Sequence, residues 1–147
     1  MRIDLLLANT VATFAFAVLF QAPKREYFFC AATGAIASLG YLFFEALGIQ
    51  AASMTAIIWA AFFLMVAARA FSVLRRCPVT VYLLPGIIPL VNGMGIYQMA
   101  QALIAGDLTL GASKGLNALK ISVSIALGIG FAFAIPDRWF KRLGRRK

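Results

Sequence analysis

The sequence predicts an all-α fold: a polytopic membrane helix bundle of about five transmembrane helices, the fourth broken by proline and glycine. Three observations predict it. Of 147 residues, 63% are hydrophobic and only 13% charged, where a soluble domain carries about 25% charged residues. One core of that size cannot hide so much apolar surface from water. Apolar stretches recur along the chain at close to the roughly 20 residues a crossing needs. Eleven of the fourteen Lys and Arg residues lie in three clusters beside those stretches, which is how a membrane topology signal is written. Five crossings use roughly two-thirds of the chain, leaving short loops and no room for a soluble catalytic domain.

Residues 1–147 therefore read as a single transmembrane domain. Span one covers 5–20 and has a mildly polar start at Asp4, Asn9, Thr10 and Thr13. It does not read as a cleavable signal peptide, because only Arg2 precedes the apolar run, Asp4 counters it, and no cleavage site follows. Gln21 to Glu26 breaks the helix with one proline and three charges. Span two, 27–47, is rich in Ala and Gly and carries Glu45. Span three, 54–74, is apolar except for Arg69, and the basic loop Arg75-Arg76-Cys77-Pro78 follows. Span four, 79–104, is interrupted by Pro85-Gly86, Pro89 and Asn92-Gly93, with Gly95 just beyond. Each proline deletes a backbone donor and clashes with the preceding turn, so a continuous helix is not expected there. Span five, 111–135, follows the Gly106-Asp107 turn and leads into a basic cytoplasmic tail, 136–147.

The charge bias sets the orientation. The Lys24/Arg25 loop, the Arg69/Arg75/Arg76 loop and the six basic residues of the tail fall on one side of five spans, against Arg2, Lys114 and Lys120 elsewhere. By the positive-inside rule the amino terminus is outside and the carboxyl terminus cytoplasmic. Trp139 reads as an anchor at the inner interface.

Several function classes fall away. The net charge of +9 invites a nucleic-acid reading, but the basic residues mark topology and no aromatic-interleaved basic face exists. Cys30 and Cys77 show no metal or redox spacing and read as reduced structural thiols. With no histidine, His-based metal sites and triads are excluded. No carboxylate pair, phosphate loop or Ser–Lys arrangement suggests an enzyme, and no cofactor or metal is implied.

Three features remain as candidates for function. The first is the broken segment Pro85, Gly86, Pro89, Asn92 and Gly93. A discontinuous span presents helix ends at bilayer depth, where amides attract anionic groups; the plainer alternative is a structural kink. The second is intramembrane charge. Glu45 and Lys120 both fall toward the outer half, either paired for substrate charge or coupling or serving as interfacial anchors, while Arg69 reads as a topology residue. The third is a stripe of Ser113, Asn117, Lys120 and Ser124, at i, i+4, i+7 and i+11 on one helix face, continued by Gly128 and Phe131. It either lines a polar pathway or glues helices together. Gly34, Ser38 and Gly111-x-x-x-Gly115 favour close helix packing.

Two stretches carry a resemblance: Phe16-Ala-Val-Leu-Phe-Gln-Ala-Pro-Lys-Arg-Glu26 with Cys30-Ala-Ala-Thr-Gly-Ala-Ile36, and Pro85-Gly-Ile-Ile-Pro-Leu-Val-Asn-Gly-Met-Gly-Ile-Tyr97. With the segment from Ala126 to Arg142, they resemble the small-subunit type of the threonine/serine exporter family, the ThrE carboxyl-terminal half. The chain departs from the family pattern at Gln21, where Asn is usual, and at Asn92-Gly93, where Pro-Gly usually repeats. Asn tolerates the same tight backbone. The resemblance implies inner-membrane export of threonine and serine, or in some members of a dicarboxylate such as succinate. It also implies a partner, a larger five-span subunit running in the opposite sense to make an inverted pair. Two other readings stay open: a non-transporting membrane subunit that stabilises a larger partner, and solitary function, which would need a homo-oligomer.

Overall fold

The computed structural model describes residues 3–46, 54–91 and 93–136. Among these the chain is helical and has no strand. α1 (Ile3–Leu19) leads through a 3-10 turn (Lys24–Glu26) into α2 (Tyr27–Ala46). Then come α3 (Met54–Arg75), α4 (Thr80–Ile87), a second 3-10 turn (Ile88–Leu90), α5 (Gly93–Ile104) and α6 (Leu108–Phe133). By length and composition α3 and α6 are each able to cross a membrane, and α4 with its 3-10 turn and α5, taken as one bent span, make a third. α1 is apolar but shorter, with its apolar part at Leu6–Leu19. Asn92, Trp139 and the basic tail lie outside the described residues, as does the side chain of Glu45.

The helices approach through small residues, which suits a chain whose solvent is as apolar as its side chains. α1 and α2 run antiparallel, with Thr13 seated against Gly34 and the Asn9 amide donating to the Ser38 hydroxyl at 3.0 Å. Gly40 of α2 takes the ring of Phe63 from α3. α3 buries a face of alanines, Ala56, Ala60, Ala61, Ala67 and Ala68, and α6 lies along it with Gly128 against the Ile58 carbonyl and Ala61. Arg69 is buried and belongs to this contact: its Nη1 donates to the carbonyls of Ala132 at 2.6 Å and Ile135 at 3.0 Å. It meets unsatisfied carbonyls at the end of α6, where a cation is also favoured by the helix dipole.

α1 and α3 end alike. Gln21 (φ 53°) and Arg76 (φ 56°) take left-handed backbone, and the next amides reach back, Ala22 to the Ala17 carbonyl at 3.1 Å and Cys77 to that of Ser72 at 3.2 Å. These are Schellman-type ends, each followed two residues later by a proline, Pro23 and Pro78.

The register of α3 and α6 has a consequence for overall shape. The two helices run parallel with Gly128 beside Ile58 and Ala61 and Ile125 packed with Ile57 and Ala61. The start of α3 at Met54 is therefore level with about Ser122. The preceding part of α6, from Leu108, extends about 21 Å past α3 at 1.5 Å per residue. Along that overhang α6 is covered by α5, which returns antiparallel with Met99 on Gly115 and Leu103 on Gly111. The tight turn between them uses Gly106 at φ +83° and Asp107, whose carboxylate accepts from the Leu110 amide at 3.0 Å and the Thr109 hydroxyl at 2.7 Å.

A methyl group at Gly128 would run into backbone, whereas Gly130 on the same helix faces open space. Gly128→Ala is expected to destabilise the fold by about 1–3 kcal/mol through overpacking. Gly130→Ala should be neutral or slightly stabilising. Thermal denaturation of both variants in detergent checks the contrast.

Candidate functional site

α4 contains Pro85 but does not end there: the helix runs on to Ile87. A proline at 85 removes the donor that would have served the Val81 carbonyl. That carbonyl instead accepts from the buried Cys30 thiol of α2 at 3.4 Å, and the Thr33 hydroxyl lies 3.4 Å from the neighbouring Tyr82 carbonyl. Gly86 lets α4 sit directly on Leu64 of α3. The effect of Pro85 is thus absorbed by packing, and the helix is interrupted further on.

Pro89 stands inside the 3-10 turn, and Val91 after it is extended, with φ −72° and ψ 126°. The Val91 amide still reaches back to the Ile87 and Ile88 carbonyls, and the Gly93 amide to Val91 at 2.8 Å. From Gly93 the chain sets off as α5, at 49° to the preceding segment. A Cβ at Gly93 would meet nothing within 4 Å. Leu90, just before the interruption, packs with Ile57, Ala61 and Ile125, so the interruption lies at the end of the bundle where α3 begins. α1 packs along α4 and its 3-10 turn and forms a polar seam with α2: Asn9 and Thr13 from α1, Thr33 and Ser38 from α2, the last three buried. Their hydroxyls donate to carbonyls on their own helices, Thr13 to Asn9 at 2.7 Å, Thr33 to Cys30 at 2.6 Å and Ser38 to Gly34 at 2.9 Å.

The remaining sequence candidates are distributed differently. Ser124 is buried against α3, its hydroxyl donating to the Lys120 carbonyl at 2.8 Å, and Gly128 continues that contact. Ser113, Asn117 and Lys120 lie on the overhang and are exposed. One stripe therefore splits into a packed half and an uncovered half. α6 is flanked by α3 and α5, and no described contact joins Lys120 to α2, which carries Glu45.

The opposite end of the bundle holds a cluster that hydropathy reading does not reveal. Glu26, in the first 3-10 turn, is buried. Arg75 at the end of α3 grips its carboxylate with Nε, 3.1 Å from both oxygens, and Nη2, 2.8 Å from Oε1. The fully buried Tyr82 of α4 donates its hydroxyl to Oε2 at 2.7 Å. The guanidinium also lies 4.8 Å over the Phe29 ring. The Arg75 hydrogen bonds foremost, and that of Tyr82, hold the Glu26 carboxyl below its ordinary 4.5, against the upward push of burial. The loops bearing Lys24, Arg25, Arg75 and Arg76 and the end of α6 meet at this same end. The sequence signal was present in one form only, an acid beside two basic residues in a loop.

These features define a class: a helical membrane protein built around an interrupted helix, with basic loops gathered at one end. The family model described as Threonine/Serine exporter, ThrE, matches residues 5–135. The chain belongs to the threonine/serine exporter family, which points to a transporter rather than an enzyme. No curated protein and no solved structure matches the chain.

Because the folded Glu26 has a lowered pKa, its contribution to stability is fully present above the unfolded value and is lost as pH falls through the folded one. The thermal midpoint should therefore hold steady from neutral pH down to about 4.5 and fall only below it. Glu26→Gln should lower the midpoint by several degrees at neutral pH and flatten that acid limb, as read by thermal denaturation across a pH series.

Proposed function

We propose that this chain is the small subunit of a two-component secondary exporter that carries threonine and serine out across the inner membrane. The observation that carries the reading is the family match over nearly the whole chain, joined to a helix interrupted at the end of the bundle where α3 begins. In this reading the chain crosses the membrane five times, by α1, α2, α3, the α4–α5 pair and α6. Its amino terminus is outside and its basic end in the cytoplasm. A larger five-span subunit of opposite sense supplies the other half of the path.

The substrate is a small zwitterion, and a carboxylate crossing lipid must find donors throughout. The stretch shaped by Pro85, Gly86, Pro89, Asn92 and Gly93 supplies what continuous helices lack, a place where backbone departs from the ladder beside a polar seam. Its position near the start of α3 makes it the outer mouth of the path, with the Glu26–Arg75–Tyr82 cluster closing the cytoplasmic end.

The test is efflux of preloaded labelled threonine, serine and succinate from cells lacking their native exporters, with the chain alone, the larger subunit alone, and both together. Efflux of threonine and serine is expected only with both, and Pro89→Ala should reduce it several-fold at unchanged membrane abundance. A preference for succinate would reassign the substrate. Full efflux from the larger subunit alone would reduce this chain to an accessory, and no efflux from the pair would overturn the transport reading.

A further inference from the structure

The α5–α6 hairpin has two unlike sides. Successive residues of an α-helix are turned by about 100°, so each helix divides by what it packs on. α6 turns Gly111 and Gly115 toward α5 and, about a quarter turn round, Ile125 and Gly128 toward α3. Carried back past the start of α3, that second side continues as Ile121, Asn117 and Lys114. α5 turns Gly95, Met99 and Ala102 toward α6. Because it runs antiparallel, its residues on the same side of the hairpin are Gln98 and Gln101. The opposite side carries Ile96, Leu103, Leu116 and Leu119, each 45–61% exposed. Ser113 and Lys120 lie between the two sides, on the back of α6.

The register brings the four polar residues together. With Met99 on Gly115 and Leu103 on Gly111, Gln98 and Gln101 are level with residues 116 and 113. All four therefore fall within about 6 Å along the axis, across two helices about 8–10 Å apart, an area that suits one small solute. Gln98, Gln101 and Asn117 are exposed and Lys114 is half-buried. Among the described residues none of the four side chains has a hydrogen-bond partner.

In a hairpin that crosses the membrane, the leucine side faces lipid without cost. Three amides and an ammonium do not, and polar groups at membrane depth face the protein interior or a water-filled path. The patch lies outward from the interruption: Asn117 is about 12 Å beyond Ile125, which packs with Leu90. No described carboxylate serves Lys114, since Glu26 is held by Arg75 and Tyr82 at the opposite end and Asp107 by Leu110 and Thr109. An ammonium beside amides, which both donate and accept, fits a solute with one carboxylate and further polar groups.

We propose that Gln98, Gln101, Lys114 and Asn117 form a water-open binding site for a small carboxylate-bearing solute, with the carboxylate on Lys114 and the other polar groups on the amides. That the bound solute is then exported rests on the transport reading; the site itself does not.

The test is cysteine labelling in membranes open on both faces, with the modified position read by peptide mass so that Cys77 does not contribute. Asn117→Cys should react with a polar maleimide, whereas Leu119→Cys, on the lipid side, should resist it. Threonine or serine should slow labelling at position 117 several-fold, and threonine methyl ester, which lacks the carboxylate, should not. Adding Lys114→Gln should abolish the protection and Lys114→Arg retain it. An Asn117→Cys thiol as unreactive as that of Leu119→Cys overturns the open site, whether lipid or protein covers it. Labelling that neither threonine, serine nor succinate slows overturns solute binding. Equal protection by the ester, or protection that survives Lys114→Gln, overturns the role of Lys114. In the efflux assay Lys114→Gln should cut export roughly tenfold, the loss of one charged hydrogen bond, at unchanged membrane abundance. Undiminished export overturns the site's place in the path. Protection without any wild-type efflux overturns the transport reading and leaves the site standing.

Discussion

Glu26 is one of five acidic residues set against fourteen basic ones, and it lies where three segments of backbone converge. α1 and α3 both arrive at the basic end and must turn back within a few residues. Each does so through a non-glycine residue in left-handed backbone, a conformation L-residues adopt at a cost of about 1–2 kcal/mol. Such turns persist when their surroundings fix them. The carboxylate does this by accepting from Arg75 at the end of α3 and from Tyr82 near the start of α4, while its own backbone belongs to the turn after α1. One side chain thus ties together the first, third and fourth helices. A buried carboxylate without partners would be strongly unfavourable, so the same group that fixes the end would disrupt it if Arg75 or Tyr82 were lost.

Away from that end, the fold is held by proximity. Lipid offers no hydrophobic drive for helices to associate, so contact area and a few polar bonds must suffice. The alanine face of α3 and the glycines at 34, 40, 86, 111, 115 and 128 bring backbones close enough for dispersion to accumulate. Arg69 adds a strong polar join between α3 and α6. It illustrates how a residue that looks like a topology marker also performs structural work, since a buried guanidinium satisfies carbonyls that the end of α6 would otherwise leave open.

The helices themselves were legible because membrane crossings are written as uninterrupted apolar runs, and the basic loops because lysine and arginine mark one side of a membrane. What hydropathy could not supply was register. Whether α6 begins level with α3 or well beyond it depends on which glycine meets which alanine, and no composition encodes that; hence the stripe Ser113, Asn117, Lys120, Ser124 reads as one surface in sequence and is divided in space. The Glu26 cluster escaped for a related reason. Its members are 49 and 56 residues apart, and Arg75 counts equally well as one more positive charge in a loop. Pro85 misled in the other direction, because a proline signals a break only if no neighbour can serve the carbonyl it orphans.

The two prolines of the interrupted stretch therefore do different things, and the difference locates the interruption. At Pro85 the orphaned carbonyl faces α2, where the Cys30 thiol can donate to it, so the helix continues through the middle of the bundle. At Pro89 the chain has shifted to 3-10 geometry and is within three residues of the level where α3 begins. With α3 no longer alongside, the backbone extends at Val91 and restarts at Gly93 along a new axis. The interruption arises where a proline coincides with the end of the supporting helix. Irregular backbone in a membrane protein is tolerated only where protein or a water-lined cavity satisfies it, and here it stands at the rim. In the proposed export reading, an interruption at the rim is where a solute would leave the protein.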